Sequence, residues 1–516
     1  MKRFKKTNAG MTMPIWNRNM KLIVPTVCTI AVAFVSSCAV GPDFKRPAPP
    51  AVMQFTATPL PAAIPPPDNR PAEKQRFVAG DDIPAQWWSL FHSPALDSLI
   101  ARALKSNPDL QSARAALRAA KENIYVQEAA YFPTVGGSLA ASRNLNSTVL
   151  SPTLFNYTPY FDLYSAQLSA DWIVDIWGGN RRAVEALKAD AEAQHFQVEA
   201  ALLSLTAALA ASAIQEASLR AQISATEDII QDETKASGVF QRQLSLGQVS
   251  GADVAAQETA LAQARQSLPP LQKQLAQERN LITVLAGRFP SEQVPEAFNL
   301  RDLALPHELP LSVPARLVDQ RPDVRAAEAG LHSAEAEVGV AIANELPNIS
   351  LSATDGAVAT RLAGFFGPGN AYWSAGAGLS QTIFDGGALL HKTRAARALY
   401  DRASAQYRST VLTAFQNVAD TLEAIRADAT TLDAATAAAD AANRNLKSQN
   451  LRLKLGDANV LAVLNAEQAY EQASISLVQA RASRLADSVA LFEALGGGWW
   501  NAPSINLQNT AADALR

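Results

Sequence analysis

The side chains able to carry chemistry are sparse in this sequence, and their spacing argues against a catalytic centre. Five histidines, His92, His195, His307, His332 and His391, stand singly. Two cysteines, Cys28 and Cys38, are too few for a disulfide framework or a zinc cage. No HExxH, Walker A loop, GxSxG elbow or CxxC brings ligands or a nucleophile together. An enzyme needs convergent polar or metal-ligating clusters, so neither an enzyme nor a cofactor is expected. Charge excludes another class: 45 Lys+Arg against 48 Asp+Glu leave a net −3 over 516 residues. That balance offers no basic face for counterion release, and no nucleic-acid partner is expected.

The one reactive group in a telling context is the Cys38 thiol. Lys2, Arg3, Lys5, Lys6, Arg18 and Lys21 precede an apolar run from Leu22 to Val35. That run is too short for a permanent span and fits the core of an export signal, so residues 1–37 read as a leader that is removed together with Cys28. Val35-Ser36-Ser37-Cys38 resembles the bacterial lipobox, whose cysteine receives diacylglycerol and an N-palmitate. Ala39 in place of Asp directs such a protein to the outer membrane. Pro42, Pro47, Pro49, Pro50, Pro59, Pro61 and Pro65-Pro66-Pro67 follow, so residues 38–86 read as an extended polyproline-like tether. The folded body is expected to begin near Trp87-Trp88, well away from the anchor.

The elements behind these residues come in two copies. Asn107-Pro108-Asp109-Leu110 recurs as Arg321-Pro322-Asp323-Val324, and Phe132-Pro133 as Leu346-Pro347. Leu168-Ser169 pairs with Leu379-Ser380, Gly178-Gly179 with Gly386-Gly387, Gly247 with Gly456, and Ala286-Gly287 with Leu495-Gly496. The offsets shrink along the chain, which places a small deletion between the strand-like and helical parts. Each copy, 87–300 and 301–499, reads helix, strand pair, long helix, tip, helix, with a tail at 500–516.

In the strand-like segments Tyr164, Ala166, Leu168, Ala170 and Trp172 alternate with Ser165, Gln167, Ser169 and Asp171. Trp373, Ala375, Ala377 and Leu379 alternate with Ser374, Gly376, Gly378 and Ser380. Val135, Gly137, Leu139 and Ala141, then Ile349, Leu351 and Ala353, follow the same rhythm. Period two puts one set on each face of a strand. A half-buried soluble sheet gives the same pattern. Strand lengths near those of tilted membrane strands favour lipid, as do aromatics beyond the ends, such as Tyr157, Tyr160, Phe365 and Trp177, and a face of Ala and Leu opposite one of Ser, Gln and Asp.

Four strands cannot close a useful barrel, yet open edges are costly in hydrocarbon, so the strands must be completed by further copies. Eight strands from a dimer would fill with side chains, whereas twelve from a trimer begin to leave a lumen. The helices point the same way. From Arg181 to Leu246 there is no proline, predicting a helix on the order of 100 Å long. Alanine pairs such as Ala207-Ala208 and Ala441-Ala442 suit packed coiled-coil walls. Gly247 and Gly456 permit sharp reversals, and Pro269-Pro270 should break or bend the first returning helix.

With these residues in place the chain resembles the outer membrane factors (TolC-like), in the lipoprotein branch called the nodulation-T type. The marks are Cys38-Ala39-Val40-Gly41-Pro42-Asp43-Phe44, Trp87-Trp88, the Asn107 and Arg321 motifs, and Ala494-Leu495-Gly496-Gly497-Gly498-Trp499. The resemblance implies a mainly α fold with transmembrane β-structure: a two-fold internal repeat, four strands per protomer in a trimeric 12-strand barrel, and a long periplasmic α-helical barrel. It implies a passive duct in the outer membrane of a Gram-negative cell, partnered by a periplasmic membrane-fusion adaptor, an inner-membrane proton-driven (RND) pump and lipid. Carboxylate rings past the tip glycines narrow many such ducts, which singles out Asp253 and Asp457. Ala462 and Asn465 stand where some relatives carry Asp, and Asp253 also reads as a helix N-cap. Leu246, Gly247, Leu455 and Gly456 are the implied adaptor-contacting tips, with simple tip packing as the other reading. A duct for protein secretion, a periplasmic coiled-coil scaffold and a lipoprotein enzyme are the competing readings. The cargo is not legible.

Overall fold

The computed structural model describes residues 39–57, 75–145 and 160–501. Residues 1–38 with Cys38, Pro59 through Pro67, Tyr157 and most of residues 500–516 lie outside the described residues. The chain forms two compact units, and each draws segments from both halves of the sequence. The first comprises Met1–Asp43, Tyr125–Ala186 and Glu335–Arg397; the second comprises Phe44–Ile124, Leu187–Ala334 and Ala398–Arg516.

The first unit holds a single antiparallel sheet of four strands in the order β2-β3-β5-β6. The strands are β2 (Thr134–Leu145), β3 (Tyr160–Val174), β5 (Asn348–Ala359) and β6 (Ala371–Ser380). The alternation read from the sequence is therefore real strand, and β2 and β6 each keep one unpaired edge among the described residues.

The second unit is helical apart from a two-stranded parallel ribbon, β1 (Arg76–Ala79) on β4 (Glu308–Leu311), which the proline-rich reading of residues 38–86 did not anticipate. In chain order the helices are α1 (Pro94–Ser106), α2 (Pro108–Glu128), α3 (Gly179–Ser245), α4 (Gly251–Leu285), α5 (Pro314–Gln320), α6 (Pro322–Ala343), α7 (Ala388–Lys454) and α8 (Val460–Ala494). Of these, α3 and α7 begin in the first unit, and α2 and α6 end there. Pro94, Pro108, Pro314 and Pro322 each open a helix, where the missing N–H costs nothing. α3 and α7 run 67 residues each, or about 100 Å at 1.5 Å per residue. The core of the second unit gathers Trp87, Phe91 and Phe492, with Trp87 stacked on Phe492 at 5.4 Å, around Leu99, Ile100, Ile282 and Phe298.

Two sequence expectations change here. Pro269 and Pro270 lie inside α4 without breaking it. Each removes one i→i−4 donor, but the carbonyls so freed belong to exposed Arg265 and Gln266, where water replaces the lost partner. The alignment of the two series also shifts. α7 follows α3 and α8 follows α4 by one constant step (388 − 179 = 460 − 251 = 209). The strand ladders extend that step to the sheet. Val135 faces Ala170 as Ile349 faces Leu379, so β5 follows β2 by 349 − 135 = 214 and β6 follows β3 by 379 − 170 = 209. Leu379 thus corresponds to Ala170, two residues from the expected Leu168, and Gly178 to Gly387. The step therefore changes between the two strands of the hairpins and not between strands and helices.

Candidate functional site

The helical tips are built by local hydrogen bonding. Gly247 (φ 69°) and Gly456 (φ 77°) both adopt the left-handed conformation that closes a helix. Gln248 N–H donates to the Gln243 carbonyl at 2.9 Å, and Asp457 N–H to that of Arg452 at 2.8 Å, so the two ends are sealed alike. Leu246 and Leu455 project from these turns, 65% and 74% exposed. A soluble turn normally folds its leucine inward, so these two form an apolar pair of knobs.

Asp253 and Asp457 sit at different stations. Ser250, rather than Asp253, is the N-cap of α4. Asp253 is the third helical residue, its carboxylate accepting from Ser250 N–H (2.8 Å) and Ser250 Oγ (2.7 Å), while its own N–H donates to Ser250 Oγ (3.2 Å). Those hydrogen bonds to the ionised form hold Asp253 below the usual carboxylate range. The matching station on α8 is Ala462, whose N–H is capped by Asn459 Oδ1 at 2.9 Å and which carries no charge. Asp457 accepts from Arg452 Nε at 3.0 Å, so its charge is locally compensated. Of the two, Asp253 has no cationic partner among the described residues, whereas Asp457 has Arg452.

A second acidic place went unread in the sequence. Glu233 on α3 is buried and accepts from the Gln257 amide of α4; Gln257 is fully buried with its Oε1 unpartnered. Glu467 and Glu471, one turn apart on α8, are both pushed up to about 7 by burial and by the charge of Glu233. Spacing of four along α8 was visible; the convergence of three helices was not.

The sequence motifs singled out above act as clamps. Asn107 Nδ2 donates to the carbonyl of Leu285, the last residue of α4, while its Oδ1 accepts from Leu110 N–H. Arg321 takes the corresponding place on the other series: its Nη1 donates to the carbonyl of Ala494, the last residue of α8, and its other nitrogens grip Asp323. Beside each clamp a glycine with positive φ admits a passing carbonyl. A Cβ on Gly287 would lie 2.4 Å from Ser106 O, and one on Gly496 2.4 Å from Gln320 O.

The N-terminal stretch is no free tether over residues 39–57. In the first unit Val40 N–H donates to Trp177 O (2.9 Å), Arg182 grips Asp43 Oδ1 (2.6 Å), and Gly41 packs so closely on Gly339 that a Cβ would meet its Cα at 2.5 Å. In the second unit Phe44 stacks on His332 at 4.2 Å, Arg46 pairs with Glu328 at 2.7 Å, and Phe55 packs on Phe415. The prolines deny this segment a helix, yet the side chains between them dock it as a strap.

On the sheet, Val135, Leu139, Leu168, Trp373 and Leu379 are exposed on one face, and Ser138, Gln167, Ser352 and Ser380 lie on the other. The apolar face is interrupted toward the hairpin ends by Arg143 and Asp162, 3.9 Å apart, and by Asp355 between Leu168 and Trp373. Among the described residues no His, Cys, Asp and Glu group is arranged to hold a metal.

The sequence profile of a family described as "Outer membrane efflux protein" matches residues 99–288 and 313–497. The chain is 32% identical over 421 residues to the pyoverdine export outer membrane protein OpmQ of Pseudomonas aeruginosa, covering 80% of this chain and 87% of that one. It is 28% identical over 476 residues to nodulation protein T of Rhizobium leguminosarum bv. viciae, covering 90% and 92%. Among solved structures, the outer-membrane channel OprN matches with a TM-score of 0.80 at 27% identity, covering 90% of this chain and all of that one. The outer membrane protein VceC of Vibrio cholerae matches with a TM-score of 0.74 at 26% identity, covering 81% of this chain and all of the other.

Proposed function

This chain belongs to the outer membrane efflux protein family and is an outer-membrane efflux channel, and from that premise we propose that three copies form the exit duct of a tripartite pump. The observation that carries the reading is a four-stranded sheet with two open edges in the same chain as paired 67-residue helices. Unpaired N–H and C=O groups at such edges cost several kcal/mol each in hydrocarbon, so the sheet is stable in lipid only when neighbouring copies close it. Twelve strands leave a water-filled lumen. In this reading the helices of the two series, taken as a duplicated unit, form the wall of a water-filled path.

In this reading the duct performs no chemistry and holds no resident cofactor beyond the acyl chains on Cys38. Transport energy comes from an inner-membrane proton-driven pump, and a periplasmic membrane-fusion adaptor takes the exposed Leu246-Gly247 and Leu455-Gly456 knobs. Asp253, repeated by threefold symmetry, forms a carboxylate ring that focuses negative potential at the periplasmic aperture, with Asp457 as a weaker, Arg452-compensated contributor. The relatives named for export and efflux support a small-molecule duct over a protein-secretion duct or a scaffold.

Purified protein reconstituted in planar bilayers tests the proposal. Discrete conductance steps from a heat-modifiable trimer are expected. A detergent-free soluble monomer without conductance would remove it.

A further inference from the structure

We infer that the seam between neighbouring copies has one defined register, in which β6 of one chain pairs antiparallel with β2 of the next, joining Ile383 to Val135, Leu379 to Leu139 and Trp373 to Leu145. The inference rests on the closed-ring reading above and adds to it the identity of the partner residues.

The register comes from the ladder inside the chain. β3 pairs with β5 across the junction between the two series, with Val174 opposite Ile349, Ala170 opposite Ala353 and Tyr164 opposite Ala359. β6 is the counterpart of β3, displaced by 379 − 170 = 209, and β2 is the counterpart of β5, displaced by 349 − 135 = 214. Carrying the β3–β5 ladder onto the two free edges with these displacements gives the three pairs stated. Symmetry makes the seams between copies alike, and the constant displacements make the two series alike, so the internal β3–β5 junction serves as the template for the external one.

Three observations independent of that arithmetic agree with it. The residues brought together are strongly exposed apolar side chains of the sheet and of the segment just after β6: Leu139 86%, Trp373 76%, Leu379 72%, Val135 69% and Leu145 62% in the sheet, and Ile383 96% beyond it. Each gains an apolar partner on its own face. A slip of one residue would set Leu379 against Ser138 and reverse the faces, which strand pairing in a one-sidedly apolar sheet resists. Second, the template explains where β6 stops. Trp172, Ile173 and Val174 are strand because β5 lies beside them. Their counterparts Gln381, Thr382 and Ile383 have no strand partner among the described residues and are not strand. Val135 to Gly137 of a neighbour supplies that partner and extends β6 by three residues. Third, on the other face the same register sets Ser380 beside Ser138, polar against polar.

Disulfide trapping tests the register. Ala141 and Ala377 are predicted to face each other across the seam. The double variant A141C/A377C, oxidised in outer-membrane fractions, is expected to give dimer and trimer bands on non-reducing gels that reducing agent dissolves. The displaced pairs L139C/A377C and R143C/A377C should cross-link at least fivefold less, and each single variant not at all. Dominant cross-linking of a displaced pair overturns the register while leaving the closed ring intact. So does the absence of any cross-link in a preparation that still runs as a heat-modifiable trimer. A wild-type chain that forms no oligomer at all overturns the ring itself, and the register with it.

Discussion

Arg321 and Asn107 show how much a residue can do that its motif does not announce. Both were legible as family marks, but their work depends on a helix end that arrives about 175 residues later: the carbonyl of Ala494 for one and of Leu285 for the other. No local pattern encodes that distance. Arg321 is 9% exposed, so truncating it takes the side-chain donor from the buried Ala494 carbonyl and from Asp323 Oδ2, while Oδ1 keeps only the Val324 N–H. Arg321→Ala is expected to cost about 1–3 kcal/mol, read as a lowered thermal midpoint of the detergent-solubilised protein. Arg321→Lys should recover less than half of the loss, because an ammonium cannot reach Ala494 O and both Asp323 oxygens in one plane. Recovery to wild type by lysine would show that charge alone matters there. Asp253 needs two variants, since capping and gating coincide in it. Ser250→Ala removes the hydroxyl of the capping box and leaves the charge, whereas Asp253→Asn removes the charge and keeps an acceptor for Ser250 N–H. Cation preference in planar bilayers is expected to fall with Asp253→Asn and to survive Ser250→Ala. Because its pKa lies below the ordinary carboxylate value, the preference should hold from neutral pH down through the normal aspartate range and vanish only below it. Loss of preference with both variants would assign Asp253 to the cap alone.

At the scale of elements, the strands and long helices were readable because each pattern is local. Period two marks β2, β3, β5 and β6, and uninterrupted helix formers mark α3 and α7. The ribbon of β1 on β4 was not readable, since parallel pairing of four-residue strands more than 200 positions apart leaves no periodic trace. The strap was misread for a related reason: proline density reports what the backbone cannot form and says nothing of where Phe44 and Arg46 land. The meeting of α3, α4 and α8 around Glu233 was equally silent. It has a consequence for pH. The charge of Glu233 on α3 acts on both Glu467 and Glu471 and that of Asp232 on Glu467, while Glu233 itself accepts from Gln257 of α4 and the Lys235 ammonium is engaged with Asp232. Both carboxyls sit near 7 when folded against 4.5 when free, so the folded state binds their protons more tightly. Their stabilisation is present in full below about 4.5 and is lost as pH rises toward about 7. Thermal unfolding followed by circular dichroism is expected to show a midpoint that declines between pH 5 and pH 8. The double variant E467Q/E471Q should make that slope shallower, since these two carboxyls no longer ionise, while Asp487, pushed up to about 7 by burial and by Asp428, keeps its share. An equal slope in both proteins would place the titrating groups elsewhere.

At the scale of the molecule, the proposed acylation of Cys38 and the strands would be two separable holds on the membrane. Each acyl CH₂ buried contributes about 0.8 kcal/mol, so lipidation of Cys38 would tether a chain but would not by itself close a sheet. The sheet answers to a different rule: its edge groups need partners in hydrocarbon whether or not the N-terminus is acylated. The strap adds a third element, because residues from Val40 onward are held by Trp177 O and Arg182 and do not depend on a lipid to stay in place. Replacing residues 1–37 by a conventional cleavable leader and Cys38 by Ala removes the acylation site without making export depend on it. The variant is expected to take up no labelled palmitate, yet to reach the outer membrane and run as the same heat-modifiable trimer at no less than half the wild-type amount. Arg182→Ala in that background should lower the yield further, since it frees the strap at Val40 O and Asp43 together. If the unacylated chain instead accumulates as periplasmic monomer, the lipid is what delivers the strands to the bilayer, and closure of the sheet follows anchoring rather than driving it.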